Sequence, residues 1–256
     1  MTVGKEPVTF SVHVATVNPS RRLLIVFARP PIPGRVKSRL AAAIGKEAAA
    51  SFYAAFLQDT LAGLESLRGV ERAIAWSEGG SAFPVPPGWL ASSQRGKDLG
   101  ERLASAFLDA FDSGAREVVV LGSDSPTLPA SRVTQAFEIL ARRDAAIGPT
   151  TDGGYYLIGL RTFREQLFQD VEWGGTNVLA RTLESAAAAG LETELLAPWY
   201  DVDTSADLAF LGAHLSAILP GDPCNAPATR QAIAAWLGAG GTGAFPFLDC
   251  TSASLG

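Results

Sequence analysis

Cysteine and histidine are scarce in this 256-residue chain, which has two residues of each. Cys224 and Cys250 both lie near the C-terminus, so the sequence offers neither a disulfide framework nor the ligand spacing of a zinc site. His13 and His214 are too few for a histidine-rich metal site, and they give little support to Ser-His-Asp catalysis. With so few thiols, we expect a protein of the reducing cytoplasm.

The sequence also lacks an excess of positive charge and a long apolar segment. Its 21 Lys and Arg residues are outnumbered by 26 Asp and Glu residues, which gives a net charge of −5. Nucleic acids need a broad basic surface, so we do not expect them as partners. No stretch has the length of a membrane span and the N-terminus has no signal-peptide pattern, so we expect no association with a membrane.

Strand and helix patterns alternate along most of the chain. Short apolar runs typical of buried strands occur at 23–28, 70–76, 116–121, 144–147, 155–160 and 191–196. Apolar residues at helical spacing lie between most of these runs, first over 38–67 with a break near Gly45. This alternation predicts a three-layer α/β/α domain with a mostly parallel sheet over residues 21–216. Residues 1–20 and 217–256 are then terminal extensions, the second with one helix at 228–237.

The loop after the first predicted strand is rich in cations. Gly34 gives the turn its freedom, and four basic residues flank it or follow it: Arg29, Arg35, Lys37 and Arg39. Clustered cations between a strand and a helix are typical of a phosphate site, although the spacing matches neither a P-loop nor a dinucleotide fingerprint. On an acidic protein this local positive charge favours a small anion. The alternative is an ordinary solvated basic turn.

Aspartates follow several of the predicted strands. Asp124 and Asp203 come after two strands that are far apart in sequence, and two such carboxylates can share one Mg²⁺ with the phosphates of a nucleotide. Asp124 is alternatively an ordinary helix cap or turn residue. Asp152 precedes Gly153 and Gly154, a pattern that suits either a hairpin turn or close backbone approach to a ligand. All three aspartates follow predicted strands, and ligands of open parallel sheets bind at the edge formed by the carboxyl ends of the strands.

A further polar segment precedes the helix predicted at 99–112. Its Gln94 has both a donor and an acceptor, which suits recognition of a nucleobase edge, and Gly96 allows flat stacking. A surface glutamine without a special role is the alternative.

Six sequence patterns occur in order along residues 22–215: P-x-P-G-x-V-K-x-R-L, Q-x-G-x-D-L-G-x-R, G-S-D-S-P, G-P-x-x-D-G-G-Y-Y-L-I-G-L, W-x-x-T-x-V-L and D-V-D-T-x-x-D-L. Together they resemble a bacterial branch of the nucleotide-diphospho-sugar transferase superfamily (GT-A fold) whose members carry a general glycosyltransferase label. More distantly, the chain is similar to 2-phospho-lactate guanylyltransferase and the molybdenum-cofactor cytidylyltransferases. The Asp-x-Asp of many sugar transferases is Asp124-Ser125-Pro126 here, with one carboxylate.

The resemblance implies a role for each of the candidate residues. The catalytic residues that it implies are Lys37, Arg39 and Asp152. Lys37 and Arg39 would contact the phosphates, with help from Gly34 and Arg35. Asp152 would face the acceptor, together with Gly153 and Gly154. Gln94 and Gly96 would line the base. The metal pair, for Mg²⁺ or Mn²⁺, would be Asp124 and Asp203.

Three functions remain open at this stage. The basic loop favours nucleotidyl transfer, in which a small phosphorylated or acidic acceptor attacks a nucleoside triphosphate and pyrophosphate leaves. The alternative is a glycosyltransferase with a nucleotide-diphospho-sugar donor and Asp152 as base. A non-catalytic nucleotide-binding module is a third reading, and assembly into a homo-oligomer is left open.

Overall fold

The structure is a computed structural model in which residues 21–78, 83–219 and 221–241 are described. In these residues seven strands form one sheet: β1 (Arg22–Ala28), β2 (Val70–Trp76), β3 (Leu90–Ser93), β4 (Glu117–Leu121), β5 (Ala145–Pro149), β6 (Tyr155–Leu160) and β7 (Thr193–Leu195). The strand order is β3-β2-β1-β4-β6-β5-β7, and only β6 runs against the direction of its neighbours. The mostly parallel sheet predicted from the sequence is confirmed.

The helices of the described residues connect these strands. They are α1 (Ser38–Ile44), α2 (Lys46–Leu64), α3 (Leu99–Asp112), α4 (Ala130–Leu140), α5 (Val178–Ala188), α6 (Ser205–Ala217) and α7 (Pro227–Gly238), with a short 3-10 helix at Glu165–Phe168. The break predicted near Gly45 separates α1 from α2, because the residue adopts a φ of +91° that ends one helix and begins the next. No helix among them is long and apolar enough to cross a membrane.

Alternate residues of β1 supply the cores on the two faces of the sheet. Leu24 and Val26 pack with α2 and α4 on one face, whereas Leu23 and Ile25 pack with α3 and the 3-10 helix on the other. Because both faces are covered, the strand is a continuous apolar run, as expected for a buried parallel strand. The three-layer α/β/α architecture is therefore confirmed.

Two parts of the chain differ from the simple strand and helix alternation. Strand β3 was not predicted, because Leu90–Ser93 is a short edge strand whose side chains are mostly exposed and show no apolar pattern. The predicted loop at 77–88 is only partly described, since residues 79–82 lie outside the described residues, as do residues 1–20, Cys250 and the end of the glycine-rich run at 238–243.

Helix α7 packs on the domain through α2. Ile233 of α7 joins a core cluster with Phe52 and Phe56 of α2. A buried carboxylate of α2, that of Asp59, holds the first turn of α7. Asp59 accepts hydrogen bonds from the backbone N–H groups of Ala228, at 2.9 Å, and Thr229, at 2.7 Å. The residue before the helix, Ala226, has no side chain that could cap it, so Asp59 supplies the cap from another helix.

Replacing Asp59 by alanine should therefore weaken the attachment of α7. The loss of a cap leaves two backbone donors without a partner, and we expect the free energy of unfolding to fall by about 2 kcal/mol. Urea denaturation measures this change, and Asp59→Asn, which keeps one acceptor oxygen, should lose less. A loss no larger than that of the exposed Asp112→Ala control would contradict the assigned role.

Candidate functional site

The loops that carry the predicted site residues open on one edge of the sheet. Strands β1, β4 and β7 run in the same direction, so the loops that follow them lie at their shared carboxyl edge. The reversed direction of β6 places the turn between β5 and β6 on that edge as well. Residues 124, 152 and 203 are therefore brought together from three loops, and the basic loop after β1 is the fourth loop at this edge.

Lys37 lies at the centre of this edge. Its Nζ contacts Oδ1 of Asp124 and lies 2.8 Å from Oδ1 of Asp203, so one ammonium joins the two carboxylates that the sequence pairs as metal ligands. The lysine side chain is only 3% exposed, whereas those of Asp124 and Asp203 are 44% and 39% exposed. The cation is thus enclosed, and the carboxylates also face solvent.

These contacts shift the pKa values of Lys37 and Asp203. Burial acts to lower the pKa of Lys37, but the charges and hydrogen bonds of Asp124 and Asp203 outweigh it and raise that pKa above its ordinary value. Burial would raise the pKa of Asp203, yet the ammonium of Lys37, with Arg39 and Arg29 behind it, holds the pKa below its ordinary range. Lys37 is therefore charged and Asp203 ionised at neutral pH.

Asp201 is a fourth carboxylate of the site, and the sequence reasoning did not single it out. Burial, together with the charges of Asp124 and Asp152, raises its pKa to about 7, against the lowering effects of the Ser125 hydroxyl and Lys37. Its signal in the sequence is Asp201-Val202-Asp203. In an extended segment, alternate residues face the same side, and Val202 between them is fully buried.

Hydrogen bonds between the loop after β4 and the segment after β7 fix the positions of Asp124, Asp201 and Asp203. The Ser125 hydroxyl donates to Oδ1 of Asp201 at 2.9 Å, and the backbone N–H of Val202 donates to the carbonyl of Asp124 at 3.0 Å. Thr127 shares a hydrogen bond of 2.7 Å with the Tyr200 hydroxyl. The segment after β7 is thus held against the loop after β4, which explains how Ser125 and Asp201 stay close although they are 76 positions apart in the sequence.

The remaining cations of the basic loop differ in their partners. Arg35 forms an ion pair of 2.6 Å with Glu78, in which both side chains are more than half exposed. Arg29 and Arg39 are exposed and make no ion pair with any residue in the described ranges, although both act electrostatically on Asp203. Gly34 turns the loop with a φ of +77°. Arg29 and Arg39 therefore have their charge available for an anion beside the carboxylates.

The turn that carries Asp152 is held by its own hydrogen bonds. Oδ1 of Asp152 accepts from the Thr150 hydroxyl at 2.5 Å and from the backbone N–H of Gly154 at 3.1 Å. Gly153 has a φ of +94°, and a Cβ there would lie 1.9 Å from the carbonyl oxygen of Thr176, so its close approach is to the protein backbone. Gly154 is half-buried beside this turn.

Gln94 lies at the same edge, next to β1 and β2. Its Nε2 donates to the carbonyls of Ala75 at 2.8 Å and Ala28 at 3.3 Å, so the amide oxygen is the part left to meet a ligand. Gly96 has a φ of +139°, and a Cβ there would clash with Glu101 and Arg102. Both residues therefore have structural roles in shaping the loop before α3, and a contact with a base stays a prediction.

The residues present fit a hard divalent cation. Asp124 and Asp203 already share one positive neighbour, which shows that their oxygens can converge on a single charge, and both are oxygen donors of the kind that Mg²⁺ and Mn²⁺ prefer. The described residues contain no group of three or more His, Cys, Asp or Glu side chains placed to hold a metal. Such an ion would need further oxygen ligands from water or from a phosphate.

The raised pKa of Asp201 predicts how stability changes with pH. Its folded-state pKa of about 7 exceeds the ordinary 3.8, so the folded state holds the proton more tightly and stability falls as pH rises through this range. Asp201→Asn should remove this dependence and raise the free energy of unfolding above pH 8 by at least about 1 kcal/mol. Urea denaturation between pH 4 and pH 9 tests this, and equal pH profiles for variant and wild type would contradict it.

Comparison with known proteins agrees with this fold. The chain belongs to the family described as "Uncharacterized protein conserved in bacteria (DUF2064)", whose profile matches residues 60–175. A relative from Desulfovibrio desulfuricans G20, provisionally described as a nucleotide-diphospho-sugar transferase, is 36% identical. That match covers 83% of this chain and 98% of the relative, with a TM-score of 0.73. A search of curated proteins gave no match.

Other matches to solved structures are more distant. One is CMP:2-keto-3-deoxy-manno-octonic acid synthetase complexed with CTP, which is 15% identical, with 77% of this chain and 99% of that chain covered and a TM-score of 0.47. Another is 4-diphosphocytidyl-2C-methyl-D-erythritol synthase from Anaerococcus prevotii DSM 20548, which is 11% identical, with 78% and 98% covered and a TM-score of 0.48. At such low identity these two matches add nothing about the site.

Proposed function

We propose that this protein is a divalent-metal-dependent glycosyltransferase that takes a nucleotide-diphospho-sugar as donor and a small molecule as acceptor. The observation that carries the proposal is that Asp124 and Asp203 meet from separate loops beside Arg29 and Arg39, which make no ion pair with any described residue. Oxygen ligands next to available positive charge suit a metal-bound diphosphate. The relative at 36% identity, with its description as a nucleotide-diphospho-sugar transferase, supports this donor class.

The four cations of the basic loop favour nucleotidyl transfer in the sequence, but their contacts in the folded chain weaken that argument. Two of the four have partners within the protein, since Lys37 is enclosed by Asp124 and Asp203, and Arg35 pairs with Glu78. Many sugar transferases have two carboxylates in an Asp-x-Asp, whereas the segment after β4 has only that of Asp124. Asp203 lies next to Asp124 in space, since both contact Lys37. The site therefore has two neighbouring carboxylates, although the segment at residue 124 is not an Asp-x-Asp.

Each residue of the site would have a definite task in this reaction. Arg29 and Arg39 would bind the departing diphosphate, and Asp124 and Asp203 would hold the divalent cation, which when bound supplies charge neutralisation. Asp152 is exposed, and its Oδ2 has no hydrogen-bond partner among the described residues. It is the candidate base that would accept the proton of the acceptor hydroxyl.

Nucleotidyl transfer remains the second candidate, because Arg29 and Arg39 would serve a departing pyrophosphate equally well. In that reaction the acceptor attacks the α-phosphorus of a nucleoside triphosphate, and pyrophosphate leaves. The two candidates share the carboxylates and arginines and differ in the bond that breaks, so they are separated by the donor that binds and the product that is released.

Thermal denaturation with a panel of nucleotide sugars, nucleoside diphosphates and triphosphates, each with and without Mg²⁺, tests the donor class. A ligand at about 100 times its Kd stabilises the folded state by about 2.7 kcal/mol, so the donor should raise the melting temperature by several degrees. Arg39→Gln should lose most of this shift. Arg68→Gln, an exposed arginine before β2 at the opposite edge, should keep it. No shift with any nucleotide, or equal shifts in both variants, would contradict the proposal.

A further inference from the structure

The charges at the candidate metal pair are nearly balanced before any ligand binds. Asp124 and Asp203 contact Lys37, and a third carboxylate, that of Asp152, lies near enough to act with Asp124 on the neighbouring Asp201. Three cations act on the same cluster, since Arg29 and Arg39 add their charges to that of Lys37. A divalent cation entering this site therefore meets much less negative charge than the carboxylates alone would offer.

Lys37 is built into this position. Its backbone has a φ of 49° and a ψ of 50°, a left-handed conformation that is unusual for a residue other than glycine and that persists where the surroundings determine it. Its Nζ also lies 5.8 Å from the centre of the Tyr53 ring. The Tyr53 hydroxyl in turn bonds to Ser123, one residue before Asp124, at 2.8 Å. The ammonium is thus held by the same structure that positions Asp124.

We propose that Lys37 keeps Asp124 and Asp203 from retaining a divalent cation on their own, so that the cation binds only together with the phosphates of the donor. This inference rests on the proposed function for the identity of the site. The Lys37 ammonium contacts Oδ1 of both carboxylates and neutralises part of their charge. The carboxylate oxygens that remain exposed are therefore weak ligands for a cation. The phosphates of a donor supply the negative charge and the further oxygen ligands that the protein lacks.

This arrangement gives Lys37 a role in cation binding. Lys37, which the sequence assigned to phosphate binding, acts first on the protein's own carboxylates. The cation is then a companion of the nucleotide and not a resident ion. Binding of cation and nucleotide is coupled, because each reduces the unfavourable charge that the other would face alone.

Titration of the nucleotide-free full-length chain with Mn²⁺, followed by calorimetry and by the loss of the free-ion EPR signal, tests the proposal without turnover. Lys37→Gln keeps N–H donors toward the carboxylates but removes the charge, and it should bind Mn²⁺ about tenfold or more tightly than wild type. Lys37→Met should show the same gain. Lys37→Arg keeps the charge and should bind as weakly as wild type. Arg39→Gln removes a nearby charge that contacts neither carboxylate, so its gain should be smaller.

Several results would overturn the proposal. These are an unchanged or weaker Mn²⁺ affinity in Lys37→Gln and Lys37→Met, an equal gain in Arg39→Gln, or no Mn²⁺ binding by any variant. The wild-type chain provides a measurement that requires no variant to fold: an Mn²⁺ affinity without nucleotide equal to that with a nucleoside diphosphate would also overturn it. Failure of the proposed function is seen separately, as the absence of any nucleotide-dependent thermal shift.

Discussion

Asp124→Asn should reduce turnover by on the order of a hundredfold or more while leaving the fold intact. Asp124 contributes to the site twice, as one of the two carboxylates that can hold a cation and as a partner of the Lys37 ammonium. Asparagine is nearly the same size, and its amide oxygen can still accept a hydrogen bond from Lys37. The charge is lost, and with it the ability of the pair to hold a metal-bound diphosphate.

The rate of donor consumption at increasing Mg²⁺ concentration measures this effect. Asp112→Asn provides the matched control, because Asp112 is an exposed aspartate at the end of α3 with the same change in charge and size. The control should behave as wild type. Near-wild-type turnover in Asp124→Asn with an unchanged dependence on Mg²⁺ would remove Asp124 from the metal site.

The double variant Asp124→Asn/Asp203→Asn should lose far more stability than the two single variants together. In each single variant the buried ammonium of Lys37 keeps one carboxylate, so we expect a cost of about 1 kcal/mol for each. In the double variant no carboxylate contacts an ammonium whose side chain is 3% exposed. A buried charge that loses its partners costs about 3–5 kcal/mol, so the excess over the sum is the measurable signal.

Urea denaturation of the wild type, both single variants and the double variant gives this coupling free energy directly. Adding Lys37→Met to the double variant provides the control, because it removes the charge that has lost its partners. That triple variant should recover most of the lost stability. Additive costs in the double variant, or no recovery in the triple variant, would show that Lys37 does not depend on these two carboxylates.

Most strands and helices could be predicted, because the apolar pattern of each segment matches the burial of that segment in the fold. Strand β1 is apolar throughout since it is covered on both faces, and Gly45 separates two helices through a conformation that favours glycine. Strand β3 was missed because an exposed edge strand of four residues carries no such pattern. The attachment of α7 was also beyond prediction, since it depends on Asp59, which lies 169 positions from the backbone group that it caps.

The site was predicted in part, for a similar reason. Strand ends are visible in a sequence, so Asp124, Asp152 and Asp203 could be placed at one edge of the sheet. The partners of a side chain depend on tertiary contacts, and for this reason the position of Lys37 between two carboxylates was not foreseen. Asp201 was passed over because its raised pKa results from burial and neighbouring charges that only the folded chain brings together.

The product released from the donor tests the proposed function most directly. Wild-type chain is incubated with Mg²⁺ and the nucleotide sugar that gives the largest thermal shift, and in parallel with the matching triphosphate, each with a panel of small hydroxyl-bearing and phosphorylated acceptors. We predict the release of nucleoside diphosphate from the nucleotide sugar, and its loss in Asp124→Asn. Release of pyrophosphate from the triphosphate, with no nucleoside diphosphate formed from any nucleotide sugar, would contradict glycosyl transfer and establish nucleotidyl transfer in its place.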